Sequence, residues 1–199
     1  MNNTDPKEKE KFSSEMIKHF NKSLRSWKPQ YEAWSFVYGN DLLGILSSIN
    51  GSFIMHGVRK ELKLRPYAPL TCYFPVASIG YVVTDIIHSH YVTKKVLQAE
   101  GCSLCTVTKG AILQASMGVA YPLLLSPLIG FYMADRLLTY PVPSINRAPK
   151  EVFWLWIKMV TRNPRFVINS IILQLVAASY VIVEKQKFFW NFLEGNVSK

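Results

Sequence analysis

Long stretches of this chain carry no charge, and stretches of that kind limit what it can become. No Asp, Glu, Lys or Arg occurs from Gly110 to Ala134, a run of 25 residues, or from Phe166 to Val183, a run of 18. Asp85 is the single charge between Ala68 and Ile87, and Asp41 the single charge between Ala33 and Val58. A helix rises about 1.5 Å per residue and the hydrocarbon layer is about 30 Å thick, so about 20 apolar residues cross it. Buried helices of water-soluble proteins normally keep charges on an outer face at 3.6-residue spacing, and the last two runs offer none. The pattern predicts transmembrane helices at about 35–58, 68–87, 110–134 and 166–183. The expected fold is all-α: a polytopic membrane protein, a bundle of about four transmembrane helices with an N-terminal amphipathic helix.

Composition agrees. Charged residues make up 18% of the 199, below the roughly 25% of an average soluble domain, and hydrophobic residues make up 49%. A disordered polyelectrolyte, a collagen-like chain and a disulfide-dense mini-protein are excluded, and a large soluble enzyme is disfavoured. The excess of Lys and Arg, 23 against 13 acids, gives a net charge of +10. These cations sit in the gaps between apolar runs, where they reach lipid headgroups: Arg59, Lys60, Lys63 and Arg65; Lys94, Lys95 and Lys109; and Arg136 to Arg165. A net positive surface suits anionic membrane lipid. Nucleic acid is not an expected partner, because the cations are spread over every loop and no recognition helix gathers them. An even number of spans puts both termini on one side, and a Lys/Arg count of 13 against 10 leans that side inward.

Three units are expected. Residues 1–32 form a polar tail and an amphipathic helix, in which Phe12, Met16, Phe20 and Leu24 recur every four residues among Lys18, Lys22 and Arg25. Residues 33–187 form the transmembrane domain, and 188–199 a short tail. Neither a secretory signal nor an acid-poor cleavable presequence is recognisable at the start. Pro66 and Pro69 mark the turn into the second span, and Tyr140-Pro141-Val142-Pro143-Ser144 breaks the chain after the third. The aromatic stretch Val152 to Ile157 is too short to cross a bilayer and belongs at its interface.

Few residues suggest chemistry. Cys102-Ser103-Leu104-Cys105 is a C-x-x-C pair, suited to a disulfide, a redox couple or half of a metal site. With His88 and His90 it supplies four ligand types that zinc accepts, in an unfamiliar order, so these are weak metal candidates and no metal or cofactor is expected. Asp41 and Asp85 within or near spans must face the bundle interior, a partner or the interface. They are also the groups a small-solute or proton transporter would use. Gly44, Ser48, Gly51 and Gly118 offer small faces for close helix contact, within the bundle or with another membrane protein. Asn50, Gln114, Asn169 and Gln174 are polar groups able to bond between helices. Pro122 and Pro127 kink the third span and free backbone carbonyls. No nucleophile–His–acid set, phosphate-binding glycine loop or H-E-x-x-H occurs. The expectation is a non-enzymatic assembly or scaffold component.

Several matches in order give the chain a resemblance to a known family. These are Gly39-Asn40 through Gly44, Val83-Thr84-Asp85, Cys102-Ser103-Leu104-Cys105-Thr106-Val107-Thr108-Lys109, Tyr121-Pro122, Trp156-Ile157, and Leu173-Gln174 followed by Ser179-Tyr180. Across about residues 35–185 the chain resembles the transmembrane protein 126 family of small mitochondrial inner-membrane proteins. The C-x-x-C-T segment is more similar to the A-type paralogue. Leu128 to Phe131 departs from the relatives' asparagine- and glycine-rich turn, and His88 and His90 have no counterpart. The resemblance implies a multi-pass protein of the mitochondrial inner membrane that assists assembly of respiratory complex I. Its implied partners are newly made membrane-arm subunits and other complex I assembly factors. The implied mechanism is chaperoning, in which lateral helix contacts hold a hydrophobic subunit until its neighbours arrive. The rival expectations are transport through Asp41 and Asp85, and thiol–disulfide chemistry at Cys102 and Cys105.

Overall fold

A computed structural model describes residues 20, 24, 30–64, 66–98, 102–142 and 149–197. Of the N-terminal amphipathic helix expected from the sequence, all but Phe20 and Leu24 lies outside the described residues.

After a short helical turn at Trp34–Val37, the first long helix, α1, covers Gly39–Glu61. Leu43, Gly44, Ser47, Asn50, Gly51, Ile54, Met55 and Val58 form its buried stripe at three- and four-residue spacing. Leu42, Ile45, Ile49 and Phe53 occupy the opposite, exposed face. Helix α2 covers Pro69–Leu97 and α3 covers Ser103–Leu137. Pro149–Thr161 forms α4, and Pro164–Val197 forms α5.

Among the described residues, α2, α3 and the Pro164–Glu194 part of α5 are long and apolar enough to cross a membrane. Helix α1, with 23 residues, is about 34 Å long at 1.5 Å per residue, but it falls outside that apolar set. Its polar side chains explain why. Ser47 and Asn50 lower its hydropathy, yet both are buried against neighbouring helices, while the outward face is apolar. The chain is thus an all-α membrane protein, with α1 packed chiefly on α2 and the first half of α3 packed on α5.

Proline shapes α3. Its middle, Ser116–Ala120, is a turn of π-helix directly ahead of Pro122. A proline has no N–H to give to the carbonyl four residues back, so Pro122 releases that of Gly118 and Pro127 that of Leu123. Both carbonyls find side chains from elsewhere. Asn50 Nδ2 of α1 donates to Gly118 O at 2.6 Å, and Trp156 Nε1 of α4 donates to Leu123 O at 2.9 Å. The carbonyls freed by two prolines thereby fasten α1 and α4 to α3.

Among the described residues, three apolar clusters fill the bundle. At the end formed by the α1–α2 turn, Met55, Val58, Leu62, Cys72, Val76 and Phe131 pack together, and Val152, Leu155, Trp156 and Met159 of α4 lie against them. Leu43, Ala111, Ala178 and Val181 form a second cluster. Phe20, Val96, Leu97, Phe188, Phe189 and Phe192 close the opposite end. The aromatic stretch expected at an interface is thus part of α4, and Phe153 and Trp154 face outward. Helix α5 does not stop near Val183, but continues through the expected C-terminal tail to Val197.

Candidate functional site

Polar side chains that the spans cannot leave in lipid collect along one seam between α1, α2, α3 and α5. Burying an unpaired polar group costs several kcal/mol, so the seam is best followed through its hydrogen bonds. Gln114 of α3 is fully buried, and its Nε2 lies 2.7 Å from Gln174 Oε1 of α5, 2.9 Å from Ser47 Oγ and 3.1 Å from Leu43 O of α1. Thr84 of α2 donates to Ser47 at 3.2 Å, and Ser170 of α5 donates to Asn50 Oδ1 at 2.8 Å. A Cβ on Gly118 would stand 2.5 Å from Gln174 Cδ, so only glycine lets α3 approach α5 this closely.

Towards the end closed by the phenylalanines, the seam becomes ionic. Lys185 of α5 is completely buried. Its Nζ donates to Asn40 Oδ1 at 2.5 Å and to Thr93 Oγ1 at 3.0 Å, and it lies 5.8 Å from the centre of the Phe36 ring. Asn40 Nδ2 donates to Ser89 Oγ at 2.8 Å, and Ser89 reaches Asp85 Oδ1 at 3.4 Å. Lys185 and Asp85 are therefore joined through two side chains, Asn40 and Ser89. Asp41, in the first turn of α1, accepts a 2.6 Å hydrogen bond from Tyr81 of α2. His88, also buried, faces Gln114 and Lys185.

The residues singled out from sequence take definite places. Gly44 lies under the Tyr81 ring, Gly51 against Val76 and Pro122, and Ser48 donates to Ala77 O at 2.7 Å. With Gln114, Gly118, Pro122 and Gln174 they make contacts inside the bundle; Tyr121 is half-buried. Asp41 and Asp85 lie on adjacent helices beside the seam. Cys102 and Cys105 are exposed free thiols at the start of α3. Cys102 acts as its N-cap, accepting from Cys105 N at 3.4 Å. A hydrogen bond from the Cys105 side chain holds the Cys102 thiol below its ordinary pKa. The weak metal set does not assemble. His88 turns into the bundle while His90 on the same helix is exposed. Among the described residues, no three His, Cys, Asp or Glu side chains come together as a metal site.

Lys185 and His88 are the functional-looking residues that sequence reasoning missed or placed in a loop. Lys185 had a signal. Ser170, Gln174, Ala178, Val181 and Lys185 continue one inward stripe, at three- and four-residue spacing, past the end of the charge-free run.

Comparison with known proteins gives a consistent result. A family model described as Transmembrane protein 126 matches residues 14–199. A Drosophila melanogaster protein named Transmembrane protein 126 is 32% identical over 144 residues, covering 71% of this chain and 65% of the fly protein. The chain thus spans just under two thirds of that relative's length. Transmembrane protein 126A of Mus musculus is 26% identical over 167 residues, covering 83% of each chain, and that of Rattus norvegicus is 23% identical over the same length. No solved structure matches.

Proposed function

The chain belongs to the Transmembrane protein 126 family, and from that premise we propose that it is a non-enzymatic assembly factor of the mitochondrial inner membrane. In this reading it chaperones a hydrophobic subunit of the respiratory complex I membrane arm, alongside other assembly factors. The observation that supports the reading is the outward face of the spans. Only 22% to 33% of each apolar window is buried within the bundle, so each span keeps an outward face for lipid or a neighbour in the membrane. Leu124 and Leu128 on α3 and Ile168, Ile172 and Val176 on α5 are exposed apolar side chains. The small and polar faces are engaged internally, so the client-binding surface is this apolar exterior. Contacts of that kind rest on packing, with hydrogen bonds worth only about 1 kcal/mol, and a transient holder must be able to release.

The test is purification of the tagged protein from mitochondria in mild detergent. Membrane-arm subunits should co-purify, and deletion should lower complex I on native gels. Normal complex I after deletion would overturn the reading. One observation favours transport instead: the partly buried series Asp85, Ser89 and Asn40, which ends on the buried Lys185, with Asp41 adjacent. Asp41→Asn with Asp85→Asn should abolish flux in liposomes if the protein transports, and should leave assembly largely intact if it does not. A thiol role would be removed by Cys102→Ser with Cys105→Ser retaining full function.

A further inference from the structure

Two apolar clefts flank a single ridge of α1. On one side, Phe53, Gly57, Leu123, Met159 and Phe166, together with Lys60 and the Glu61–Arg162 pair, line a cleft of about 340 Å³ between α1, α3, α4 and α5. On the other, Ile49, Phe53 and Tyr73 line a cleft of about 490 Å³ between α1 and α2. Phe53 and His56 belong to both. The ridge climbs from Phe53 to Lys60, about 10 Å at 1.5 Å per residue, which is most of the depth of one leaflet of a 30 Å layer. Both clefts share wall residues with a basic hollow lined by His56, Arg59, Lys60, Lys63, Pro69 and Tyr73, with no carboxylate among the described residues of its wall.

The charges of this hollow divide into two kinds. Arg59 is already committed, donating to Tyr67 O at 3.0 Å and Ala68 O at 3.2 Å beneath the Tyr73 ring. Glu61, the nearby acid, is paired with Arg162 of the α4–α5 turn. Lys60 and Lys63 are exposed and have no acidic partner among the described residues. Pro69 opens α2 at the same hollow, so the positive end of that helix adds to the lysine field. Gly57 lines the first cleft, and a Cβ there would meet nothing within 4 Å, so the bundle itself leaves room beside the ridge at this position.

We propose that this rim is a binding site for one anionic diacyl phospholipid. Its phosphate lies between Lys60 and Lys63, and one acyl chain descends on each side of the Phe53–Gly57 ridge. Two apolar clefts meeting under one cationic hollow fit a diacyl lipid and exceed what a free phosphate would use. The site stands apart from the proposed assembly role, since it needs no protein partner.

Native mass spectrometry of the full chain, released from mixed micelles, tests this with phosphatidylglycerol and phosphatidylcholine as probes. One phosphatidylglycerol should be retained per chain, with phosphatidylcholine retained at least tenfold less. Lys60→Gln with Lys63→Gln should lower phosphatidylglycerol retention about tenfold. Gly57→Phe should abolish it without lowering the lipid-free thermal midpoint, because a side chain at this position starts in open space. Millimolar glycerol 3-phosphate should not compete. Equal retention of the two lipids, or unaltered retention in the double lysine variant, would overturn the proposal even if Gly57→Phe failed to fold. Full competition by glycerol 3-phosphate would also overturn it, as the mark of a simple phosphate site.

Discussion

At the scale of single residues, close approach and charge placement decide most of what this chain can tolerate. Gly110 of α3 has the Ile182 side chain of α5 where a Cβ would go. Overpacking of this kind typically costs about 1–3 kcal/mol, so Gly110→Ala should lower the thermal midpoint in detergent. Ile182→Val removes the colliding Cδ1 and should recover most of the loss, whereas independent sites would simply add. Cys102 carries a second prediction. Its pKa lies below the ordinary thiol value because the Cys105 side chain donates to it, so more of it is thiolate at neutral pH. Maleimide should alkylate Cys102 with a pH midpoint below that of a free thiol, and Cys105→Ala should move that midpoint upward. An unmoved midpoint would show that the neighbour does not matter. Such couplings were only partly legible in the sequence. C-x-x-C spacing advertised the thiols, but it could not show that one caps a helix. Lys185 lies just past the end of the charge-free run in the sequence, and only its stripe with Gln174 and Ser170 marks it as inward.

At the scale of elements, charge depletion located α2, α3 and α5 because a span must lack charge whatever it packs against. It located their ends less well. Once a helix leaves lipid, its polar residues no longer signal its end, and α5 runs on to Val197 with Phe188, Phe189 and Phe192 still buried. Kinks from Pro122 and Pro127 were legible, since a missing N–H is a property of the residue. The side chains that receive the freed carbonyls were not, because Asn50 lies 68 residues from Gly118 and Trp156 33 residues from Leu123. These bonds lead to a third prediction. Trp156→Phe keeps the aromatic packing of α4 but removes the donor to Leu123 O. It should cost about 1–2 kcal/mol, the penalty for leaving a partly buried carbonyl unpaired. Spin labels on the outward face of α4 should broaden their distance distribution to α3 in this variant. Phe153→Leu, on the exposed side of α4, should leave that distribution as it was.

For the whole molecule, the alternation of spans brings the two kinds of surface chemistry to opposite ends. Chain direction puts Lys60, Lys63, Arg162 and Arg165 at one end, with the α1–α2 turn and the start of α5. Cys102 and Cys105, the phenylalanine cluster and the end of α5 lie at the other. With 35 and 34 residues, α3 and α5 are each about 50 Å long, so they overrun a 30 Å layer by about 20 Å. The charge-free runs, 110–134 and 166–183, stop short at the cysteine end and begin close to the basic rim in α5. The overrun therefore projects at the cysteine end, as a stalk closed by aromatic side chains, while the basic rim sits at the headgroups. This arrangement predicts a specific labelling pattern. In sealed vesicles of one orientation, a membrane-impermeant maleimide should reach Cys102 from one side only. In a variant with Cys102→Ser, Cys105→Ser and Lys63→Cys, it should reach the new thiol from the other side only, since Cys72 is fully buried and stays silent. Labelling of both positions from the same side would mean that α2, the one helix between them, does not cross, and the membrane placement of the bundle would have to be abandoned.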